Sequence, residues 1–215
     1  MEPILRYSDK VDWITILIFG SLLFIIGAKI LHYSKFINFI ILPFNNKYIF
    51  MYSKKEKLFN RFHILLTTFQ IINTSLFIFL AWNTFKHSTY EVLLYLLILS
   101  GFFLFIVIKT VVQLGNGFIF GNYRIFNEIV FKKTSYLNYS GIVLFIANLI
   151  LAYVFPSSQF IVFLAISLFV LINLIGWVTV VKNHQILISN YFFYFILYLC
   201  ALEIAPLIIM GSFLK

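Results

Sequence analysis

One cysteine, Cys200, occurs in 215 residues. Its isolation excludes an internal disulfide and any cysteine-based metal centre. Acidic residues are also scarce, 7 Asp and Glu against 16 Lys and Arg, which leaves a net charge of +9. Charged side chains total 11% of the chain, where a soluble domain carries about 25%. Catalysis needs acids, bases or nucleophiles gathered at one place. Here Glu2, Asp9, Asp12, His87 and Glu91 are scattered on one side of the apolar segments, and Glu56 and Glu128 on the other. That is poor material for metal-dependent phosphoryl or glycosyl chemistry. No cofactor and no metal is expected, and the reading leans away from an enzyme.

What the chain has in excess is apolar side chain, 62% of residues with 28 Phe, against roughly 45–50% in soluble proteins. A fold of this size cannot hide so much apolar surface from water. Disorder is excluded as well, since it requires low hydrophobicity and high charge. An integral membrane protein remains.

Six apolar stretches are long enough to cross the hydrocarbon core, which takes about 20 residues as a helix. They are Trp13–Leu31, Phe62–Trp82, Val92–Leu114, Leu137–Phe155, Phe160–Val181 and Tyr191–Phe213. A transmembrane barrel would show segments of about ten residues with alternating polarity; these runs are continuous. The expected fold class is therefore all-α, a polytopic transmembrane helix bundle of about six spans forming one integral membrane domain over residues 1–215. Glu2, Asp9 and Asp12 precede the first span where a cleaved signal needs positive charge, so that span is expected to stay as an anchor.

Orientation follows from the basic residues. Lys35, Lys47, Lys54, Lys55, Lys57 and Arg61 fall in the first loop, Arg124, Lys132 and Lys133 in the third, Lys182 in the fifth, and Lys29 and Lys109 near the same ends of their spans. Only Arg6, Lys10, Lys86 and Lys215 fall on the other side. The positive-inside rule makes the richer side cytoplasmic and places both termini outside. The first loop also holds an apolar patch, Phe36 to Phe44, too short to span and ended at Pro43, which reads as interfacial or partly re-entrant. In the third loop, Gly115–Thr134, residues Phe126, Ile129 and Val130 have helical spacing and predict a short amphipathic surface helix. The basic cluster Lys54, Lys55, Lys57 and Arg61 is expected at the anionic inner leaflet, with an acidic partner or ribosomal RNA as the alternative. Membrane lipids and other membrane proteins are the expected partners; no specific nucleic acid is.

Few polar residues lie at membrane depth, and each needs an explanation. Glu203 sits about 15 Å below the outer face at 1.5 Å per residue. Asn73 comes out about 14 Å deep, Asn148 about 10 Å and Lys109 about 26 Å. A carboxyl at such depth costs about 2.5–3.5 kcal/mol on the mildest scales, so Glu203 is expected to stay protonated and to donate to an amide or a freed carbonyl. It reads either as helix-locking glue or as a proton or cation site. Pro206, three positions on, frees the carbonyl of Leu202 and reads as a plain kink or as a hinge beside Glu203. His63, Thr67, Gln70 and Thr74 form a stripe with spacings of four, three and four, on one helix face; Asn73 flanks it, and Asn173 belongs to the same inventory. Lys109 is expected to snorkel to the surface. His32, His63 and His184 read as interfacial histidines, and Gly115-Asn-Gly117…Gly121 is a poor match to a phosphate-binding loop. Trp13, Trp82, Tyr90 and Tyr153 outside, with Tyr33, Tyr136, Tyr139 and Trp177 inside, read as interfacial belts.

The stretch Tyr194-Phe-Ile-Leu-Tyr-Leu-Cys-Ala-Leu-Glu-Ile-Ala-Pro206 resembles the C-terminal signature, roughly LYLC-x-LEI-x-P, of an uncharacterised bacterial membrane family, domain-of-unknown-function family 4271. The resemblance implies a bacterial inner membrane and supplies no activity. It places Glu203 and Pro206 inside the element that defines the likeness. The functional expectation is a non-enzymatic accessory or scaffold subunit of a larger membrane complex serving envelope biogenesis or protein export. The alternative is a small proton-coupled solute or lipid carrier using Glu203.

Overall fold

The structure, a computed structural model, describes residues 12–45, 47–53, 60–86, 91–119 and 123–183. Among these residues there are seven α-helices and no strand: α1 (Asp12–Leu31), α2 (Tyr33–Ile40), α3 (Lys47–Tyr52), α4 (Arg61–Lys86), α5 (Val92–Ile119), α6 (Tyr123–Leu149) and α7 (Gln159–Asn183). A π-helical turn, Ile150–Val154, continues α6. Five helices are long and apolar enough to cross a membrane: α1, α4, α5, α6 with its π turn, and α7. The sixth expected span, Tyr191–Phe213, lies outside the described residues. The chain divides into two compact units, Met1–Gly176 and Trp177–Lys215. Of the second, the described part is the last stretch of α7.

In the first unit α4 is central, packed on α6, α1 and α5. Its burial follows from its composition. The two least apolar spans, α4 and α6, are the most buried, 61% and 39%, whereas the more apolar α5 is 6% buried. Lipid offers no hydrogen bonds, so the helices that carry amides and hydroxyls turn them toward each other and leave the Leu- and Phe-rich helices outside.

Two apolar cores stack along the bundle. One gathers Ile14, Ile18, Leu76, Phe79, Leu80, Tyr95, Leu144, Leu151, Val162 and Ala165. Trp13 packs edge-on to Phe79 at 5.3 Å and lies 5.4 Å from Tyr95. The other gathers Ala28, Phe36, Phe39, Leu42, Tyr48, Phe62, Leu66, Val130, Phe131 and Tyr136. α1 thus meets α4 with Ile14 near Phe79 and Ala28 near Phe62, an antiparallel pair.

The first loop is built rather than loose. His32, with φ −145° and ψ 69°, breaks α1 from α2. Phe36 and Phe39 of α2 and Tyr48 and Ile49 of α3 point into the second core. Asn45 Oδ1 accepts the Lys47 backbone N–H at 3.0 Å and so starts α3, an Asx cap. The interfacial reading of this segment therefore gains two defined helices. The third loop differs from its expectation. Residues Tyr123–Thr134 are helical, but as the opening turns of α6 and not as a separate surface helix. The reason is packing: Ile129, Val130 and Phe131 are buried, which holds the amphipathic stretch in line with the span. Gly117 sits where the end of α5 meets the first turns of α6, since a Cβ there would lie 2.7 Å from Phe126 Cβ. The glycine serves helix packing, which accounts for it without any phosphate.

At the far end of α6 the π turn is closed by Phe155 N–H donating to Ile150 O at 2.9 Å. It leads into a turn in which Ser157 has φ 61°.

Candidate functional site

The polar residues of the bundle concentrate on one seam, between α4 and α6. The two helices run parallel there. Thr67 faces Asn138, Gln70 faces Gly141, and Asn73 faces Asn148. Gly141 sets the separation: a Cβ at that position would stand 3.0 Å from both Cα and Cβ of Gln70. Backbones approach this closely in membranes where one helix offers a small residue.

Three cross-helix or same-face bonds tie the seam. Asn148 Nδ2 donates to the Asn73 carbonyl at 2.9 Å and stands 3.4 Å from Asn73 Oδ1. Asn138 Nδ2 donates to Thr67 Oγ1 at 3.1 Å. Gln70 Nε2 donates to Thr74 Oγ1 at 3.0 Å. Asn73 Nδ2 turns back to the Phe69 carbonyl at 2.9 Å, and Thr67 Oγ1 to the His63 carbonyl at 2.9 Å. Gln70, Asn73, Asn138 and Asn148 are all fully buried. The seam is rich in acceptors. The amide nitrogens donate within it, while Gln70 Oε1, Asn138 Oδ1 and Asn148 Oδ1 have no partner among the described residues.

The expected residues fall into three groups. Gln70, Asn73 and Asn148 come together on the seam, with the Thr67 and Thr74 of the sequence stripe. Asn173 does not join them; its Nδ2 donates to the Phe169 carbonyl of its own helix at 2.8 Å. Glu203, Pro206, Lys54, Lys55 and Lys57 lie outside the described residues, while Arg61 is exposed at the start of α4.

The structure gives the remaining singled-out residues definite surroundings. His63, near the start of α4, faces the bundle and not the membrane surface. It is buried, stacked on Phe131 with centroids 5.1 Å apart, and neither ring nitrogen has a partner among the described residues. Tyr136, read as part of an aromatic belt, is fully buried against α7, where a Cβ on Gly176 would touch its ring. Trp13, at the start of α1, is partly buried and packs against the first core. Lys109 places its Nζ 5.9 Å from the Phe105 ring, a cation–π approach within its own helix.

Asn138 and Gly141 were missed in the sequence. Their signal was present: Asn138, Gly141 and Asn148 are separated by three and then seven positions, on one helix face. Small and polar residues at that spacing mark a helix–helix contact.

The described residues contain no group of three or more His, Cys, Asp or Glu that could hold a metal. A cavity of about 770 Å³ opens between α4 and α5, lined by Ile71, Ile72, Leu93, Leu97 and Phe103 among others. Its two hydroxyls are already engaged, Thr68 with the Ile64 carbonyl and Ser100 with the Leu97 carbonyl. It offers apolar surface and no chemistry.

Residues 14–214 match the family model described as domain of unknown function DUF4271. The chain belongs to this family. No curated protein and no solved structure matches it. This DUF4271 protein is thus a helical, multi-pass membrane protein by its spans and a family member by almost its entire length.

Proposed function

We propose that the protein is a non-enzymatic accessory or scaffold subunit of a larger assembly in a bacterial inner membrane, one serving envelope biogenesis or protein export. One observation carries the reading. Most side-chain hydrogen bonds of the described bundle return to their own helix or tie one helix to another, chiefly along the α4–α6 seam, and the described cavity is apolar. Such bonds are packing glue. Extraction in mild detergent followed by affinity isolation of the tagged full chain tests this. A stoichiometric membrane partner is expected, and recovery of the chain alone from cells grown under native expression overturns it.

The acceptor-rich seam favours a second reading, a small proton-coupled solute or lipid carrier with Glu203 as the coupling acid. Buried amide oxygens without donors suit a species that donates a hydrogen bond, such as an amine or water, or a cation that takes up their lone pairs. Glu203→Gln separates the two. It keeps the shape and removes the titration. In a subunit it leaves accumulation and partner recovery unchanged, while Glu203→Ala lowers both. In a carrier it abolishes transport at normal abundance.

A further inference from the structure

The segment between α1 and α4 carries more apolar surface than a loop in water can expose. α2 buries Phe36 and Phe39 in the second core, yet its opposite side, Tyr33, Ile37, Ile40, Ile41 and the following Phe44, is also apolar and exposed. In α3, Tyr48 and Ile49 are buried while Phe50 and Met51 face out. Phe44 is 90% exposed and Phe50 75%. Ser34, Lys35 and Asn38 leave α2 only a narrow polar strip beside a wide apolar arc, the pattern of a helix that lies in the membrane interface rather than in water.

Depth agrees. Phe39 packs on Tyr139 at 5.9 Å. Tyr139 lies fifteen positions before Val154, about 23 Å along the helix, inside a hydrocarbon core of about 30 Å. Phe62, 6.2 Å from Phe39, lies twenty positions before Trp82, about 30 Å. The α2–α3 pair therefore straddles one edge of the core. The exposed charge on α2, α3 and the adjoining ends of α1 and α4 is basic among the described residues, while Glu128, on the start of α6, is buried. Lys29, Lys35, Lys47 and Arg61 each adjoin a residue of the second core, Ala28, Phe36, Tyr48 and Phe62 respectively. Lys35 Nζ stands 5.4 Å from the Tyr52 ring, bridging α2 to the end of α3. Between Asp12 and Glu91 the sequence holds one acidic residue, Glu56.

We infer that α2 and α3 form a monotopic foot that sinks Phe44, Phe50 and the outer face of α2 into the acyl region of one leaflet and gathers anionic phospholipid headgroups with Lys29, Lys35, Lys47 and Arg61. The lipid phosphate meets the cations, and the chains below it cover the exposed aromatic and aliphatic side chains. This assignment does not rest on the subunit reading or on the carrier reading.

The test uses the full chain with Cys200→Ser, a bimane probe at Phe44→Cys or Phe50→Cys, and vesicles of phosphatidylcholine containing phosphatidylglycerol. Brominated lipid should quench both probes strongly, and aqueous iodide weakly. At equal mole fraction, brominated phosphatidylglycerol should quench several-fold more than brominated phosphatidylcholine. Changing one of the four basic residues to Gln should lower that enrichment by up to about fivefold, with the acyl quenching retained. A probe at Leu97→Cys, on the exposed face of α5, should respond to both lipids equally and reports that the bundle is folded. Stronger quenching by iodide than by lipid overturns the foot. Equal quenching by the two brominated lipids overturns the anionic headgroup site. Efficient disulfide cross-linking between copies of the unlabelled Phe44→Cys variant overturns the lipid as occupant in favour of a second chain.

Discussion

Asn148 and Asn173 carry the same amide into the same kind of helix and should respond differently to its removal. Asn148 donates across the seam to the Asn73 carbonyl; its replacement by Leu removes a helix–helix tie worth about 0.6–2 kcal/mol in membranes. Asn173 donates to the Phe169 carbonyl, which already accepts the backbone N–H four residues on in an α-helix. Asn173→Leu should therefore be close to neutral. Thermal unfolding of the two variants in detergent, compared with the parent chain, checks the contrast. Equal losses would mean that the seam is no special contact. Glycine offers a second contrast. Gly141→Ala puts a methyl 3.0 Å from Gln70 Cα and Cβ, atoms that cannot move without the helix, and overpacking of this kind costs about 1–3 kcal/mol. Gly101→Ala meets nothing within 4 Å and should gain up to about 1 kcal/mol from helix propensity. The same unfolding measurement reads both, and a melting point for Gly141→Ala at or above that of Gly101→Ala contradicts the close approach.

The connection from α6 to α7 stores conformational cost in one position. Ser157 has φ 61°, a left-handed conformation that costs an L-residue roughly 1–2 kcal/mol and glycine almost nothing. Ser157→Gly should raise the melting temperature, and Ser157→Val, β-branched, should lower it. The π turn ahead of it has a visible consequence: Tyr153 donates its hydroxyl to Thr15 Oγ1 at 2.7 Å, which pins the end of α6 to α1. Elsewhere the elements follow the logic of a lipid solvent. Thr67, Thr68, Thr84 and Ser135 all return their hydroxyls to carbonyls of their own helix, so that few polar atoms are left to face lipid.

Across the molecule, parallel α4 and α6 with antiparallel α1 fix which ends of the helices share a side. α2, α3, the start of α4 and the start of α6 belong together, as the second core shows. Reporter fusions are expected to read that side as cytoplasmic, at Lys57 and at Gly121, and Ser158 as external. Gly121 lies in the three-residue link between α5 and α6 (120–122), whereas Lys133 lies within α6 and is a poorer fusion point. A cytoplasmic signal at Ser158 would reverse the arrangement.

Composition alone determined that this is a membrane protein and, through the length of its apolar runs, where five described spans lie, because the hydrocarbon core imposes a fixed minimum length on any helix that crosses it. The stripe His63, Thr67, Gln70 and Thr74 was legible for the same reason: helical spacing places these residues on one face, and lipid forbids that face to point outward. What faces the stripe was not legible. Asn138 and Gly141 pair with it only because α4 and α6 run parallel at one register, and that register depends on side-chain volumes between two segments some seventy residues apart. The joining of residues 123–134 to α6 and the isolation of Asn173 were likewise decided by tertiary packing. Each depends on which neighbour a helix face meets, and a sequence period states the face without naming the neighbour.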